Sequence, residues 1–294
     1  MADAILAIDQ GTTNTKALLV GQDGAILASG SSPLQVRYPQ PGWAETDGTA
    51  VLDSTLAAVA DCLGKASASV AAIGISNQRE TVLMWERATG APLGPCIIWQ
   101  CRRSAERIAA LRTPEAERLV AAQSGLALDP LFPAAKIGWL LDEVPDARAR
   151  AGRGELCVGT IDSWLLFNLT GGATFATDCS NASRTQLLDI RQLCWSSDLL
   201  DLFGVPPEVL APPLSSDSRF GLTVAQGPLP GGIPIHAMMG DSHAALFGHG
   251  VRAPGAVKAT YGTGSSLMTL TEDVATSDGG LSSTIAWRRG ERTA

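Results

Sequence analysis

Several polar segments stand where apolar runs end, and their side chains suit transfer of a group to a hydroxyl. Asp9 closes the run Ile5 to Ile8, and Gln10-Gly11-Thr12-Thr13-Asn14 follows it. Glycine lets backbone N–H groups approach an anion closely, threonine hydroxyls add donors, and Lys16 adds a positive charge, so this loop is a candidate phosphate cradle. A second Gly-Thr loop, Gly262-Thr263-Gly264, lies late in the chain. Together the two loops can grip one nucleotide from opposite sides. Asp9 beside the first loop can hold Mg²⁺ through water, because Mg²⁺ keeps much of its hydration shell. Asp241, after the run Ile235 to Met239, is placed to take a proton from an attacking hydroxyl. Asn77-Gln78-Arg79-Glu80 offers donors and acceptors to the hydroxyls of a polyol, and Trp99 offers an apolar wall. Each feature also has a plainer reading. The loops can be tight turns, Asp9 a turn cap, Asp241 a helix N-cap, Arg79–Glu80 a surface ion pair and Trp99 a core ring.

Other chemistries find no support. The loops do not match G-x-x-x-x-G-K-[ST], and neither G-x-S-x-G nor a G-x-G-x-x-G after the first strand occurs. His243 and His249 are not at a zinc-ligand spacing, so the histidines read as structural or solvated. The six cysteines form no C-x-x-C pair and read as reduced thiols. A net charge of −7 argues against a general binder of nucleic acid or anionic membrane. No apolar run reaches the roughly 18–20 residues of a membrane span, and the N-terminus lacks a basic n-region. The expectation is a soluble, cytoplasmic protein, with self-association left open.

The elements that must position these residues can be read coarsely. Ile5–Ile8, Lys16–Val20 and Ala25–Ala28 predict strands, with hairpin chemistry at Gln22-Asp23-Gly24. Helical spacing runs from Thr49 to Ala68. Strands follow at Val70–Ser76, Val82–Trp85 and Cys96–Trp99. Helices are expected at Ser104–Leu111, Glu115–Gln123 (with Thr113-Pro114 as N-cap and N1), Ala134–Glu143 and Thr160–Leu169. Residues 206–234 read as loop with short elements, and 241–247 as a helix or tight turn. Late strands are expected at Ala256–Tyr261, Leu267–Thr271 and Ser283–Trp287. The strand, Gly-Thr loop, strand order at both ends suggests a duplicated architecture. The second copy has no helices after it to cover its sheet. The expectation is one complete domain plus the start of another.

The motifs as a set resemble the FGGY family of carbohydrate kinases, and its glycerol kinase branch most closely. The segments that carry this are Ala7-Ile8-Asp9-Gln10-Gly11-Thr12-Thr13, Pro41-Gly42-Trp43-Ala44-Glu45, Ser76-Asn77-Gln78-Arg79-Glu80-Thr81 and Ile98-Trp99-Gln100, then Gly159 to Leu165, Ser180 to Thr185, Gly240-Asp241 and Thr260-Tyr261-Gly262-Thr263-Gly264. Each is weak alone; in family order over nearly the whole chain they are specific. The resemblance implies an α/β actin-like ATPase (ribonuclease H-like) fold, a mixed sheet flanked by helices, with the second domain incomplete. Residues 1–252 would be the N-terminal, substrate- and phosphate-binding domain, and 253–294 the start of the nucleotide domain.

The resemblance further implies an ATP- and Mg²⁺-dependent kinase acting on a small polyol or sugar. Asp241 would be the general base. Gln78, Arg79, Glu80, Trp99, Leu131, Asp241 and Ser242 would line the substrate site. Gly11, Thr12, Thr13, Asn14, Lys16, Gly262, Thr263 and Gly264 would face the nucleotide, with Asp9 and Asp241 near the metal. The chain departs from the glycerol kinase pattern at Leu131 (Tyr in that branch), Ser242 (Gln), Ser266 (Phe), Cys101 (Asp) and Lys16 (Arg). Smaller side chains and a lost hydroxyl imply a larger pocket and an acceptor larger than glycerol. Alternatives are a non-catalytic polyol- or partner-binding fragment and an actin-like filament or chaperone ATPase. The last leaves Gln78-Arg79-Glu80 and Trp99-Gln100 unexplained.

Overall fold

The computed structural model describes residues 3–261, 266–275 and 280–294. In chain order it opens with strands β1 (Asp3–Gln10), β2 (Asn14–Gly21) and β3 (Ile26–Pro33), helix α1 (Gly48–Leu63) and strand β4 (Ser69–Asn77). Next come β5 (Val82–Glu86), β6 (Pro92–Ile97), α2 (Ala105–Leu111), α3 (Pro114–Ser124) and α4 (Pro133–Glu143). They are followed by β7 (Leu156–Thr160), α5 (Ile161–Leu169), β8 (Pro234–Gly240), α6 (Asp241–Gly248) and the pair β9 (Val257–Thr260) and β10 (Ser266–Thr269).

The organising sheet has six strands in the order Gly221–Leu222, β8, β4, β1, β2, β3. The strands β8, β4 and β1 run parallel, and β1, β2 and β3 are antiparallel neighbours. Alternating residues of β1 are buried (Ala4, Leu6, Ile8, Gln10), the period of a sheet with one covered face. That face packs on α1 and α5. Gly30 shows how closely: a Cβ there would lie 2.2 Å from the Ala58 carbonyl and 2.4 Å from the Cys62 amide. Asp47 caps α1 by accepting from the Thr49 and Ala50 amides at 2.7 and 3.2 Å. A smaller antiparallel sheet, Glu45–Thr46, β6, β5, β7, holds a second core with α2, α3 and α4. Trp85 of β5 joins the first core, edge-on to Trp164, Phe167 and Phe175.

The expected early strands, the Thr113-Pro114 start of α3 and the Gly24 turn are all present. The first helix ends at Leu63, before Gly64, rather than at Ala68. No strand forms at 283–287. There the Ser283 amide bonds to the Gly125 carbonyl, Ile285 to Ser183 Oγ and Ala286 to the Ala294 carbonyl. Those partners are loops, so the apolar segment is buried without joining a ladder. The hairpin forms beyond it, at Arg288–Arg289 with Arg292–Thr293. No helix among the described residues is long and apolar enough to cross a membrane.

Candidate active site

The three parallel strands bring their carboxyl ends to one edge. Asp9 pairs in register with Ser76, Gln10 with Asn77, and Gly240 with Asn77 from the other side. The segments after these strands therefore converge: the 11–13 loop, Gln78-Arg79-Glu80, and Asp241 at the start of α6. Such an edge is where open α/β sheets take ligands.

Hydrogen bonds lock the convergence. The Gln78 amide donates to the Gln10 carbonyl at 2.7 Å, and its side chain donates to Gln10 Oε1 and the Gly11 carbonyl at 3.1 and 3.2 Å. Thr81 Oγ1 donates to Gln78 Oε1 at 2.8 Å and accepts from the Trp99 amide at 3.2 Å. The Trp99 indole donates to Thr12 Oγ1 at 3.0 Å, tying the expected apolar wall to the expected phosphate loop. That loop is closed by Gly11 N to Asn14 O, 3.0 Å, and Thr13 O accepts from Leu34 N, 2.8 Å. Ser76 donates to Asp9 Oδ1 at 3.0 Å. Lys16 lies opposite Asp9 in the β1–β2 register and is exposed.

Arg79 Nε faces Asp241 Oδ1 at 3.3 Å. Burial raises the Asp241 carboxyl above its ordinary range, and Arg79 offsets part of that rise. Such a carboxylate is a better proton acceptor than a solvated one. Glu80 is buried and accepts from Arg184 Nε at 2.6 Å. Burial pushes it up, but Arg184, Arg79 and Lys136 together hold it below the usual range, so it is ionised. Its backbone is left-handed, with φ 61°. A non-glycine residue held so is strained, and such strain gathers at functional sites. Ser242 sits half-buried in the first turn of α6, and Leu131 half-buried just before α4. Gly262, Thr263 and Gly264 lie outside the described residues.

The sequence had not marked Arg184 and His243 as site residues. Arg184 also lies 5.0 Å over the Phe132 ring. His243, read as structural or solvated, is buried, with Nδ1 2.7 Å from Ser180 Oγ and Nε2 3.4 Å from Arg79. Arginine only donates, so the consistent tautomer has Nδ1–H donating to Ser180 and Nε2 accepting from Arg79. Burial, then the charges of Arg79, Arg184 and Lys258, hold His243 well below its ordinary pKa and therefore neutral. Nothing local signals the contact of Arg184 with Glu80 or of His243 with Arg79, since these pairs lie 104 and 164 residues apart in sequence.

A family model described as the N-terminal domain of the FGGY family of carbohydrate kinases matches residues 4–248. The chain belongs to the FGGY family of carbohydrate kinases. An apulose kinase of Pectobacterium atrosepticum is 48% identical over 290 residues, covering 98% of this chain and 58% of that protein. A glycerol kinase of Geobacter sp. is 48% identical over 289 residues, covering 97% and 58%. The chain thus spans under two thirds of the length of these relatives. Among solved structures, Plasmodium falciparum glycerol kinase with ADP superposes with a TM-score of 0.93 at 32% identity, covering 98% of this chain and 58% of that one. A xylulose kinase of Rhodospirillum rubrum gives 0.82 at 24% identity, a likeness of fold alone. The fold is the actin-like ATPase fold that the motifs implied.

Proposed function

We propose that the protein transfers the γ-phosphoryl group of ATP to a hydroxyl of a small polyol or sugar, with Asp241 as general base. The observation that carries this is the meeting of Asp241, Arg79 and Asp9 at the carboxyl ends of adjacent parallel strands. Glu80, Arg79 and Trp99 would bind the acceptor, with Gln78 holding their loops. Gly11, Thr12, Thr13 and Asn14 would face the phosphates, with Lys16, Gly262, Thr263 and Gly264. Arg79, fixed by His243, holds the base in place and favours its ionised form. The ADP in the Plasmodium relative supports a nucleoside triphosphate as donor.

Mg²⁺ fits the residues present. Among the described residues no group of three or more His, Cys, Asp or Glu can hold a metal alone. Asp9 and Asp241 instead suit an ion that takes one or two carboxylates and completes its shell with water and phosphate. When bound, it would neutralise charge on the β- and γ-phosphates. The carboxylates would hold it, and the backbone of residues 11–13 would position the phosphate beside Asp241.

We further assign residues 1–252 to this site and 253–294 to a second, nucleotide-binding domain, in a cytoplasmic enzyme. Leu131 and Ser242 favour an acceptor with more carbons than glycerol, because they remove a donor and open space. Steady-state kinetics with three-, four- and five-carbon polyols and ketoses test this. A higher kcat/KM for a four- or five-carbon acceptor is expected. Glycerol used at least as well refutes the enlarged pocket, and binding of acceptors without turnover supports the non-catalytic alternative.

A further inference from the structure

Lys136 lies on α4, and its side chain is among the largest that are fully buried. Its ammonium forms no ion pair within 4.0 Å among the described residues. It contacts main-chain carbonyls instead: Leu131 at 2.7 Å, Ile98 and Trp99 at 3.2 Å each, and Glu80 at 3.3 Å. Three N–H donors thus meet four acceptors, so one proton is shared. The four carbonyls belong to three separate segments: Glu80 to the loop after β4, Ile98 and Trp99 to the loop after β6, and Leu131 to the turn before α4. Each segment presents a residue assigned above to the acceptor pocket: Glu80 (next to Arg79) on the first, Trp99 on the second and Leu131 on the third.

We propose that Lys136 is the positioning residue of the acceptor pocket, its single ammonium holding in register the three segments that present Glu80, Trp99 and Leu131. The inference rests on the pocket assigned under Proposed function. Burying a lysine is unfavourable unless its charge is compensated and its donors are matched. A merely space-filling residue at this site would be apolar. Burial pushes the Lys136 amine down to about 7, with Glu80 opposing the fall. The four carbonyls favour the ammonium, since a neutral amine has two donors and turns a lone pair towards oxygen. The groups that act on it from the neighbouring segments are Glu80, Cys101, Arg103 and Cys96. Deleting the ammonium would leave several buried carbonyls unpaired around the pocket and free three loops to shift. The 11–13 loop, which Lys136 does not touch, shares the Trp99–Thr12 bond with one freed segment but is held independently by Gly11 N to Asn14 O and Leu34 N to Thr13 O, so it should shift less than the acceptor side.

The test uses the protein at its natural length, with Lys136→Met (similar length, no donor) and Lys136→Gln (an amide that keeps two donors). Thermal melts, the melting shift given by saturating acceptor, and kcat and KM for acceptor and for ATP are measured. Acceptor kcat/KM is expected to fall roughly 10- to 100-fold in Met and less in Gln, as misplacement of binding groups by about 1 Å would cause. KM for ATP and acceptor-free ATP hydrolysis should stay within about threefold of wild type. The proposal is overturned by unchanged acceptor kinetics, by equal losses for acceptor and ATP, or by two variants that do not fold. The last would make Lys136 a general support of the core. A wild-type protein that neither binds nor phosphorylates any acceptor fails at the earlier step, and removes the pocket itself.

Discussion

Replacing Glu80 by glutamine isolates the electrostatics of the site from its shape. The substitution is nearly isosteric and leaves the left-handed backbone strain unchanged, so that contribution cancels. What it removes is the buried negative charge among Arg184, Arg79 and Lys136. Arg184 holds Glu80 at 2.6 Å, and the two side chains are 11% and 7% exposed, so solvent screens the pair little. Removing one partner of such a pair destabilises by about 3–5 kcal/mol, because the remaining cation stays buried. The sign of the pH dependence follows from the depressed carboxyl. Its contribution is fully present above the unfolded-state value of about 4.3 and is lost as pH falls through the lower folded value. Denaturant melts of both proteins at pH 7 should therefore differ by several kcal/mol, and the gap should shrink as pH falls below about 4.3. A difference under about 1 kcal/mol at pH 7, or one that does not change with pH, would refute the argument.

Other perturbations reach the same edge of the sheet. Asp241→Asn should lower turnover by about 10²- to 10⁴-fold with little change in acceptor KM, measured by initial rates. The wild-type acid limb of kcat/KM should lie above the ordinary aspartate range near 3.9, because burial raises Asp241, and activity is lost as pH falls through it. Gly240→Ala would place a Cβ 2.6 Å from Arg79 Cδ and Cγ, driving the guanidinium off Asp241. Acceptor kcat/KM should fall roughly tenfold or more, while unchanged kinetics would separate Arg79 from the base. Brief maleimide treatment of the folded protein should label Cys194, the one exposed cysteine of six. Burial raises the Cys157 and Cys179 thiols to about 11, so peptide mapping should find them unmodified.

Much of the edge could be read from the chain because the relevant signals are local. Asp9, Gln78-Arg79-Glu80 and Asp241 each follow a short apolar run, and a run that ends abruptly in polar residues marks a strand end. The parallel order β8, β4, β1 was not legible, since register across strands far apart in sequence leaves no local trace. The same holds for Arg184, His243 and Lys136. Their types fit a helix or a turn equally well, and only the fold places them on Glu80, Arg79 and the pocket carbonyls. The expected strand at 283–287 shows the converse. Its composition suits a strand, but its backbone groups find partners in loops, so burial alone did not make a ladder.

The most direct measurement of phosphoryl transfer uses ATP labelled in its γ-phosphate, with wild-type protein and Asp241→Asn side by side. Each is incubated with Mg²⁺ and a panel of polyols and sugars that includes glycerol. The account predicts label covalently bound to one acceptor in the wild type, and transfer lower by about 10²-fold or more in the variant. No labelled acceptor from the wild-type protein would contradict phosphoryl transfer, and equal labelling by the two would contradict the role of Asp241.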